Sequence, residues 1–135
     1  MFVLLDSNVL LAALARDGIC RRVVESSAAT CTPVVTPFIC AEVRDKLQTK
    51  FRLTEQEASE LVSKLISVSL LRDDVGEISS PLRDSDDNRI LGAAVAYRCE
   101  FLVTGDGDLL ELKSFSSVEI VSVRAFAERL RLKID

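Results

Sequence analysis

Short apolar runs alternate with amphipathic stretches along the whole chain. Apolar or β-branched runs, each long enough for one buried strand, lie at residues 2–5, 30–35, 101–104 and 118–121. Apolar residues spaced three and four positions apart predict helices over residues 8–15, 19–26, 37–49, 55–70, 86–97 and 124–132. Residues 71–80 fit either a short strand or a loop. This alternation predicts an α/β fold, a three-layer α/β/α sandwich around a mainly parallel central sheet.

The ends and faces of these helices carry signals of their own. Ser7 is predicted to cap the first helix, and Thr36 followed by Pro37 predicts the start of the third. The inward face of the long helix over 55–70 is expected to consist of Ala58, Leu61, Leu65 and Val68.

The composition is that of one compact domain spanning residues 1–135. Hydrophobic residues make up 48% and charged residues 28%, and no linker or repeat divides the chain. The apolar start is interrupted at Asp6 and has no basic segment before it, so we expect a cytoplasmic protein without a membrane segment. The four cysteines form no CxxC pair and are expected to be free, buried thiols.

The chain contains no histidine, and this excludes several kinds of active site. Ser-His-Asp and Cys-His nucleophilic sites, imidazole acid–base pairs and histidine-ligated zinc all need that side chain. The net charge of −4 also argues against binding nucleic acid or membranes by overall charge alone. Chemistry must therefore come from carboxylates, hydroxyls, thiols, Lys or Arg.

Two acidic residues follow predicted strands. Asp6 comes directly after the strand over 2–5, and Asp106 lies two residues beyond Thr104, which ends the strand over 101–104. In a parallel sheet both would lie at the carboxyl edge, where α/β folds bind their ligands. Each acid alone has a simpler explanation, because Asp after a strand often caps the next helix or forms a turn.

Two further acids are expected on helix faces that point inward. Asp87 lies three and four residues before Ile90 and Leu91, so it shares their buried face, whereas Asp84 and Asp86 fit a cap and a favourable first-turn charge. The fourth acid is Glu42. It flanks the apolar stripe of the third helix, and that stripe consists of Ile39, Val43 and Leu47.

For Glu42 an ion pair with Lys46 one turn later is the simpler alternative. Carboxylates gathered without cations repel one another, by about 4 kcal/mol for unit charges 4 Å apart at an effective dielectric of 20. A divalent ion removes that cost, and ligands that are all oxygen suit Mg²⁺ or Mn²⁺ better than zinc. These acids therefore indicate metal-assisted hydrolysis of a phosphodiester.

The order of four short segments resembles the PIN domain family, which includes the toxin ribonucleases of VapBC-type toxin–antitoxin pairs. The segments are DSNV at 6–9, AEV at 41–43, DSDDN at 84–88 and TGDGDLL at 104–110. The resemblance covers nearly the whole chain. Two departures are Ser7, where the family commonly has Thr, and Ser85, where Pro is frequent; the second leaves the choice between Asp86 and Asp87 as the third acid open.

The resemblance implies a role for individual residues in this chain. The catalytic acids it implies are Asp6, Glu42, Asp87 and Asp106. The implied metal ligands among them are Asp6, Asp87 and Asp106, with Asp108 as a supplement. Supporting positions are Asn8, Thr104 and Asp86.

The same resemblance implies a Mg²⁺- or Mn²⁺-dependent endoribonuclease, an RNA substrate, a small antitoxin that covers the acidic site, and a homodimer. A basic strip that could contact the RNA backbone consists of Arg44, Lys46, Lys50 and Arg52. An ordinary solvated helix end explains the same charges.

Two other classes of protein stay open at this point. A phosphoacceptor receiver domain also has acids at strand ends, but it needs paired acids after the first strand and a Lys after the last, where this chain has Ser122 and Arg124. The other alternative is a PIN fold that serves only in binding or assembly.

Overall fold

The computed structural model describes residues 1–16 and 18–132. The predicted end of the domain at residue 135 therefore lies outside the described residues. The helices are α1 (Ser7–Ala15), α2 (Ile19–Thr30), α3 (Pro37–Thr49), α4 (Glu55–Ser67), α5 (Ser85–Ala96), α6 (Gly107–Leu112) and α7 (Val123–Arg129). The strands are β1 (Phe2–Leu5), β2 (Thr32–Val35), β3 (Leu70–Leu71), β4 (Phe101–Val103), β5 (Ser114–Phe115) and β6 (Val118–Val121).

The six strands form one sheet in the order β3-β2-β1-β4-β6-β5. All neighbouring strands are parallel except β5 and β6, which are antiparallel. Consecutive residues of the central strands are buried: Val3, Leu4 and Leu5 are at most 1% exposed. Side chains on both sheet faces are therefore covered, as expected of a sheet between two helical layers. The predicted α/β sandwich with a mainly parallel sheet is confirmed.

The sheet order determines which loops meet. Strand β1 pairs with β2 on one side and with β4 on the other, both in parallel. The segments that follow these three strands therefore emerge side by side at the carboxyl edge. Helix α3 begins there behind the Thr36 cap, whose side chain accepts a hydrogen bond from the Ile39 N–H, as the Thr-Pro signal predicted.

The long helix predicted over 55–70 ends earlier, at Ser67. Leu70 and Leu71 instead form β3, which pairs with β2. Val68, predicted to face inward, is 49% exposed, and the buried stripe is Ala58, Val62 and Leu65, while Leu61 is half-buried. The prediction of a longer helix was wrong because Leu61, Leu65 and Val68 have helical spacing, although the helix ends at Ser67 and a strand begins at Leu70.

Three smaller expectations are also corrected. The N-cap of α1 is Asp6, and Ser7 is the first helical residue. Cys40 and Cys99 are buried, but Cys20 and Cys31 are only half-buried; all four are free, as expected. Helix α6 and strand β5 were not predicted, because elements of six and two residues are too short to show a period.

Candidate active site

The two central strands end in side chains that contact each other. Asp6 follows β1 and donates its backbone N–H to the Val103 carbonyl at the end of β4, at 2.9 Å. Thr104, the first residue after β4, donates its hydroxyl to Asp6 Oδ2 at 2.6 Å. The same Thr104 oxygen accepts the Asp106 N–H at 3.0 Å. One fully buried hydroxyl therefore fixes both acidic segments at the carboxyl edge.

Asp6 and Asp106 each cap a helix. Asp6 precedes α1 and accepts from the Ser7 N–H at 2.7 Å, and Asp106 precedes α6 and accepts from the Asp108 N–H at 2.9 Å. The simpler explanation, that an Asp after a strand caps the next helix, is therefore correct for both residues. It does not account for their position, since both carboxylates line one pocket.

Glu42 lies on α3 and faces the start of α1. The hydroxyl of Ser7 donates a hydrogen bond to Glu42 Oε1, and it also contacts Asp6 Oδ1 at 3.3 Å. Within the described part of the chain, no ion pair joins Glu42 to Lys46, so the predicted alternative is wrong. Ser7 therefore connects two of the predicted site acids, Asp6 and Glu42. The sequence predicted a helix cap at Ser7 but not this contact.

Asp87 is buried on α5, only 9% exposed. One carboxylate oxygen each from Asp87, Asp106 and Asp108 lie within 4.8 Å of one another. Burial, and then the charge of Asp106 and a hydrogen bond between the two carboxyls, raise the pKa of Asp87 to about 7. Burial also raises the pKa of Asp6, and the nearby Glu42 adds to the rise, against hydrogen bonds from Thr104 and Ser7 that lower it.

These acids surround one pocket of about 200 Å³. Its acidic lining consists of Asp6, Glu42, Asp84, Asp86, Asp87 and Asp106. Asn8 and Lys46 also line it, and among the described residues Lys46 is the one cation to do so. The four predicted catalytic acids therefore meet at a single place, although they come from four separate elements.

The remaining predicted site residues differ in burial and in their position relative to the acidic pocket. Asp108 is exposed and lines a neighbouring cavity, although its carboxylate remains close to Asp87. Asp86 and Asn8 are exposed at the pocket, whereas Thr104 is fully buried beneath it. Of the two candidates for the third acid, Asp87 is therefore the one that faces the other carboxylates.

The four residues of the predicted basic strip do not share one face. Lys46 lies in the last turn of α3 and Lys50 is its C-cap, so the two exposed lysines are one helical turn apart, and Arg52 is exposed beyond them. Arg44 is half-buried, and its Nε atom has no hydrogen-bond partner among the described residues.

Asn88 is a buried polar residue whose role the sequence did not suggest. Its side-chain amide donates to the carbonyls of Leu82 at 3.0 Å and Asp84 at 3.3 Å, and it accepts from the Ser80 hydroxyl. These contacts tie the loop before α5 to its first turn, which carries Asp87. The only available signal was its place in the DSDDN segment.

The donor set fits a hard divalent cation. The acidic side chains that line the pocket all offer oxygen atoms as ligands. Among the described residues that line it there is no cysteine, and the chain contains no histidine. Burial, and after it the charge of the neighbouring Asp106, raise the pKa of Asp87, so the negative form of this carboxylate is disfavoured where it stands. Carboxylate oxygens of Asp87, Asp106 and Asp108 lie close enough together to share such an ion, whereas Asp6 and Glu42 line the adjoining pocket.

The acidic pocket lies at the carboxyl edge of a mainly parallel sheet, as the resemblance to the PIN domain family implied. The sequence profile of the PIN domain family matches residues 2–108, which is most of the chain. The chain therefore belongs to the PIN domain family, as the resemblance implied.

One solved structure with a similar fold is the crystal structure of VapBC2 from Rickettsia felis bound to a DNA fragment from their promoter. The TM-score is 0.65 at 15% identity, over 90% of this chain and 98% of that one. At this identity the likeness concerns the fold. No curated protein has a sequence that matches this chain significantly. In residues 1–16 and 18–132, no helix has both the length and the apolar character needed to cross a membrane.

Proposed function

We propose that this chain is a Mg²⁺- or Mn²⁺-dependent endoribonuclease, the toxin component of a type II toxin–antitoxin pair. The observation that carries the proposal is the convergence of Asp6, Glu42, Asp87 and Asp106 on one pocket. A protein that needed these acids only as helix caps and surface charges would have no reason to bury Asp87 against Asp106.

When bound, a divalent ion supplies water activation and charge neutralisation during phosphodiester hydrolysis. The chain's own residues prepare the site for it. Thr104 and the Ser7 N–H fix the two oxygens of Asp6, at 2.6 and 2.7 Å respectively. The Ser7 hydroxyl orients Glu42, so that this carboxylate is available as a proton acceptor beside the metal ligands.

The proposal includes the partners that accompany this activity. Exposed Lys46 and Lys50 suit contact with RNA phosphates on the α3 side, and Arg52 extends that surface. An acidic pocket on a chain of net charge −4 suits a cationic segment of an antitoxin. We further propose one domain over residues 1–135, a homodimer and a cytoplasmic location.

The test is cleavage of a labelled RNA by partner-free protein in Mn²⁺, Mg²⁺ or EDTA, with DNA of the same sequence as a second substrate. We expect cleavage of the RNA that needs Mn²⁺ or Mg²⁺ and is lost in Asp6→Asn. Asp45→Asn is the matched control, because Asp45 is exposed on α3 and does not line the pocket. Cleavage that survives EDTA, or that Asp6→Asn leaves undiminished, would contradict the proposal.

The same sample distinguishes the alternative classes. Mn²⁺ at about 100 times its dissociation constant is expected to stabilise the protein by about 2.7 kcal/mol, a shift of several degrees in Tm. No shift and no heat of binding would favour a PIN fold that serves only in assembly. A stable acyl-phosphate after treatment with acetyl phosphate would favour a receiver-like role.

Ser7→Ala is expected to lower the RNA cleavage rate about tenfold, since Glu42 loses the hydroxyl that orients it. Ser7→Thr keeps a hydroxyl and is the matched control, with a rate close to that of the wild type. Initial rates at saturating Mn²⁺ make the comparison. Equal rates for Ser7→Ala and Ser7→Thr would show that the orientation of Glu42 does not matter.

A further inference from the structure

A second cavity, of about 320 Å³, lies beside the acidic pocket at the same edge of the sheet. It is lined by Thr36 and Phe38 at the start of α3, by Asp74 and Glu77 in the segment after β3, and by Arg89 and Ile90 on α5. Ile90 also lines the acidic pocket, so the two sites share a wall. Neither the acids of the proposed active site nor the basic strip accounts for this cavity.

Arg89 presents a flat cationic group at this cavity. Its guanidinium lies 5.4 Å from the centroid of the Phe38 ring, in a cation–π arrangement. Arg89 is exposed, and among the residues the structure describes no carboxylate forms an ion pair with it. A guanidinium face and an aromatic ring are surfaces on which single-stranded RNA bases stack.

The segment after β3 brings hydrogen-bond acceptors to the same cavity. The Phe38 N–H donates to Asp74 Oδ1 at 2.9 Å, which fixes that carboxylate and leaves Oδ2 without a described partner. Glu77 adds a second carboxylate. Two acids against one cation make this cavity unsuited to a phosphate, whereas they suit a neutral group that donates hydrogen bonds.

We propose that this cavity is a guanine subsite, in which a base next to the cleaved bond lies against Arg89 and Phe38 and donates hydrogen bonds to Asp74. Guanine carries two adjacent donors, N1–H and N2–H, that match a carboxylate. Adenine and cytosine place a ring acceptor beside their amino group, and uracil flanks its N–H with carbonyls. The inference deepens the ribonuclease function proposed above and rests on it for the position of the cut.

The first test measures binding without catalysis. Isotope-labelled protein in EDTA is titrated by NMR with GMP, AMP, CMP, UMP and ribose 5-phosphate. We expect GMP to bind about tenfold more tightly than the other four, with shifts at Phe38 and Arg89. Equal affinities for the four nucleotides, or ribose 5-phosphate binding as tightly as GMP, would overturn the guanine assignment.

Asp74→Asn is the sharpest variant, because its amide oxygen can still accept from the Phe38 N–H while the second acceptor becomes a donor. We expect Asp74→Asn to lose the preference for GMP, and we expect Arg89→Gln to weaken the binding of all four nucleotides. Asp73→Asn is the matched control, since its exposed side chain does not line the cavity. An undiminished GMP preference in Asp74→Asn would overturn the assignment.

The second test sequences the ends produced from a random RNA pool with Mn²⁺. We expect guanine enrichment at one position next to the cut, which Asp74→Asn flattens and Asp73→Asn retains. Cleavage with identical ends in Asp74→Asn would overturn the subsite and leave the ribonuclease function standing. Selective GMP binding by a wild-type protein that cuts no RNA would overturn the ribonuclease function while supporting a guanine site.

Discussion

Asp87→Asn is expected to lower RNA cleavage by about 10³-fold, a loss comparable to removing a principal electrostatic group from an active site. Asp87 contributes one of three carboxylate oxygens that lie within 4.8 Å of one another, and it is the buried member of that group. An amide there keeps the shape of the side chain but removes a negative charge from the proposed cation site. Initial rates at saturating Mn²⁺, against Asp45→Asn as the control, measure the loss.

The same substitution is expected to stabilise the protein in EDTA. The folded pKa of Asp87, about 7, lies above its ordinary value of 3.8, so the folded state favours the protonated form. That contribution to stability is fully present below about pH 4 and is lost as the pH rises toward 7. At pH 8 we therefore expect Asp87→Asn to have a higher free energy of unfolding than the wild type, and this difference should shrink as the pH falls toward 4.5.

Opposite signs in rate and stability separate a functional acid from a structural one. If Asp87 only supported the fold, its replacement would lower Tm and the rate together. Thermal unfolding in EDTA at pH 4.5, 6 and 8 gives the stability difference directly. A lower Tm for Asp87→Asn at pH 8, or an unchanged cleavage rate, would contradict the role proposed for this carboxylate.

The sequence was informative where a residue's position follows from local periodicity. Asp6 and Thr104 end short apolar runs, so a parallel sheet brings them to the same edge without further information. Asp87 is placed by its spacing to Ile90 and Leu91, and all three are buried on α5. Both features depend on strand or helix geometry alone.

Contacts between helices could not be predicted in the same way. Ser7 donates to Glu42 across 35 positions of sequence, and this hydrogen bond depends on how α1 lies against α3. Asn88 is buried because an irregular loop folds back onto α5, and no period in the sequence describes such a loop. Helical spacing offered Lys46 as an alternative partner for Glu42, but the side chain that contacts Glu42 is Ser7.

Helix geometry explains why the basic strip divides. Successive residues turn by about 100°, so Arg44 and Lys46 point about 160° apart, whereas Lys46 and Lys50 are only about 40° apart. The structure agrees, because Arg44 is half-buried while both lysines are exposed. Nearby charges in the sequence therefore indicated a larger surface for RNA contact than the structure offers. Within residues 1–16 and 18–132, Lys46 is the cation that lines the acidic pocket.

Thr104→Val is expected to weaken Mn²⁺ binding by about 10- to 100-fold, the usual cost of losing a group that orients a metal ligand. Its hydroxyl joins Asp6 Oδ2 at 2.6 Å and the Asp106 N–H at 3.0 Å, and both lose this partner when an isosteric methyl replaces it. We also expect about 2–3 kcal/mol of lost stability, because two polar groups are left unsatisfied. Thr104→Ser keeps the hydroxyl and is the control.

The dependence of the cleavage rate on Mn²⁺ concentration distinguishes orientation from general damage. Thr104→Val retains every carboxylate, so excess Mn²⁺ should restore most of its rate below the unfolding temperature. Asp87→Asn lacks a proposed ligand and should stay slow at any Mn²⁺ concentration. If saturating Mn²⁺ fails to rescue folded Thr104→Val, or if Thr104→Ser is equally impaired, then the hydroxyl does not act by positioning Asp6. In that case the link between the two strand ends would be structural only.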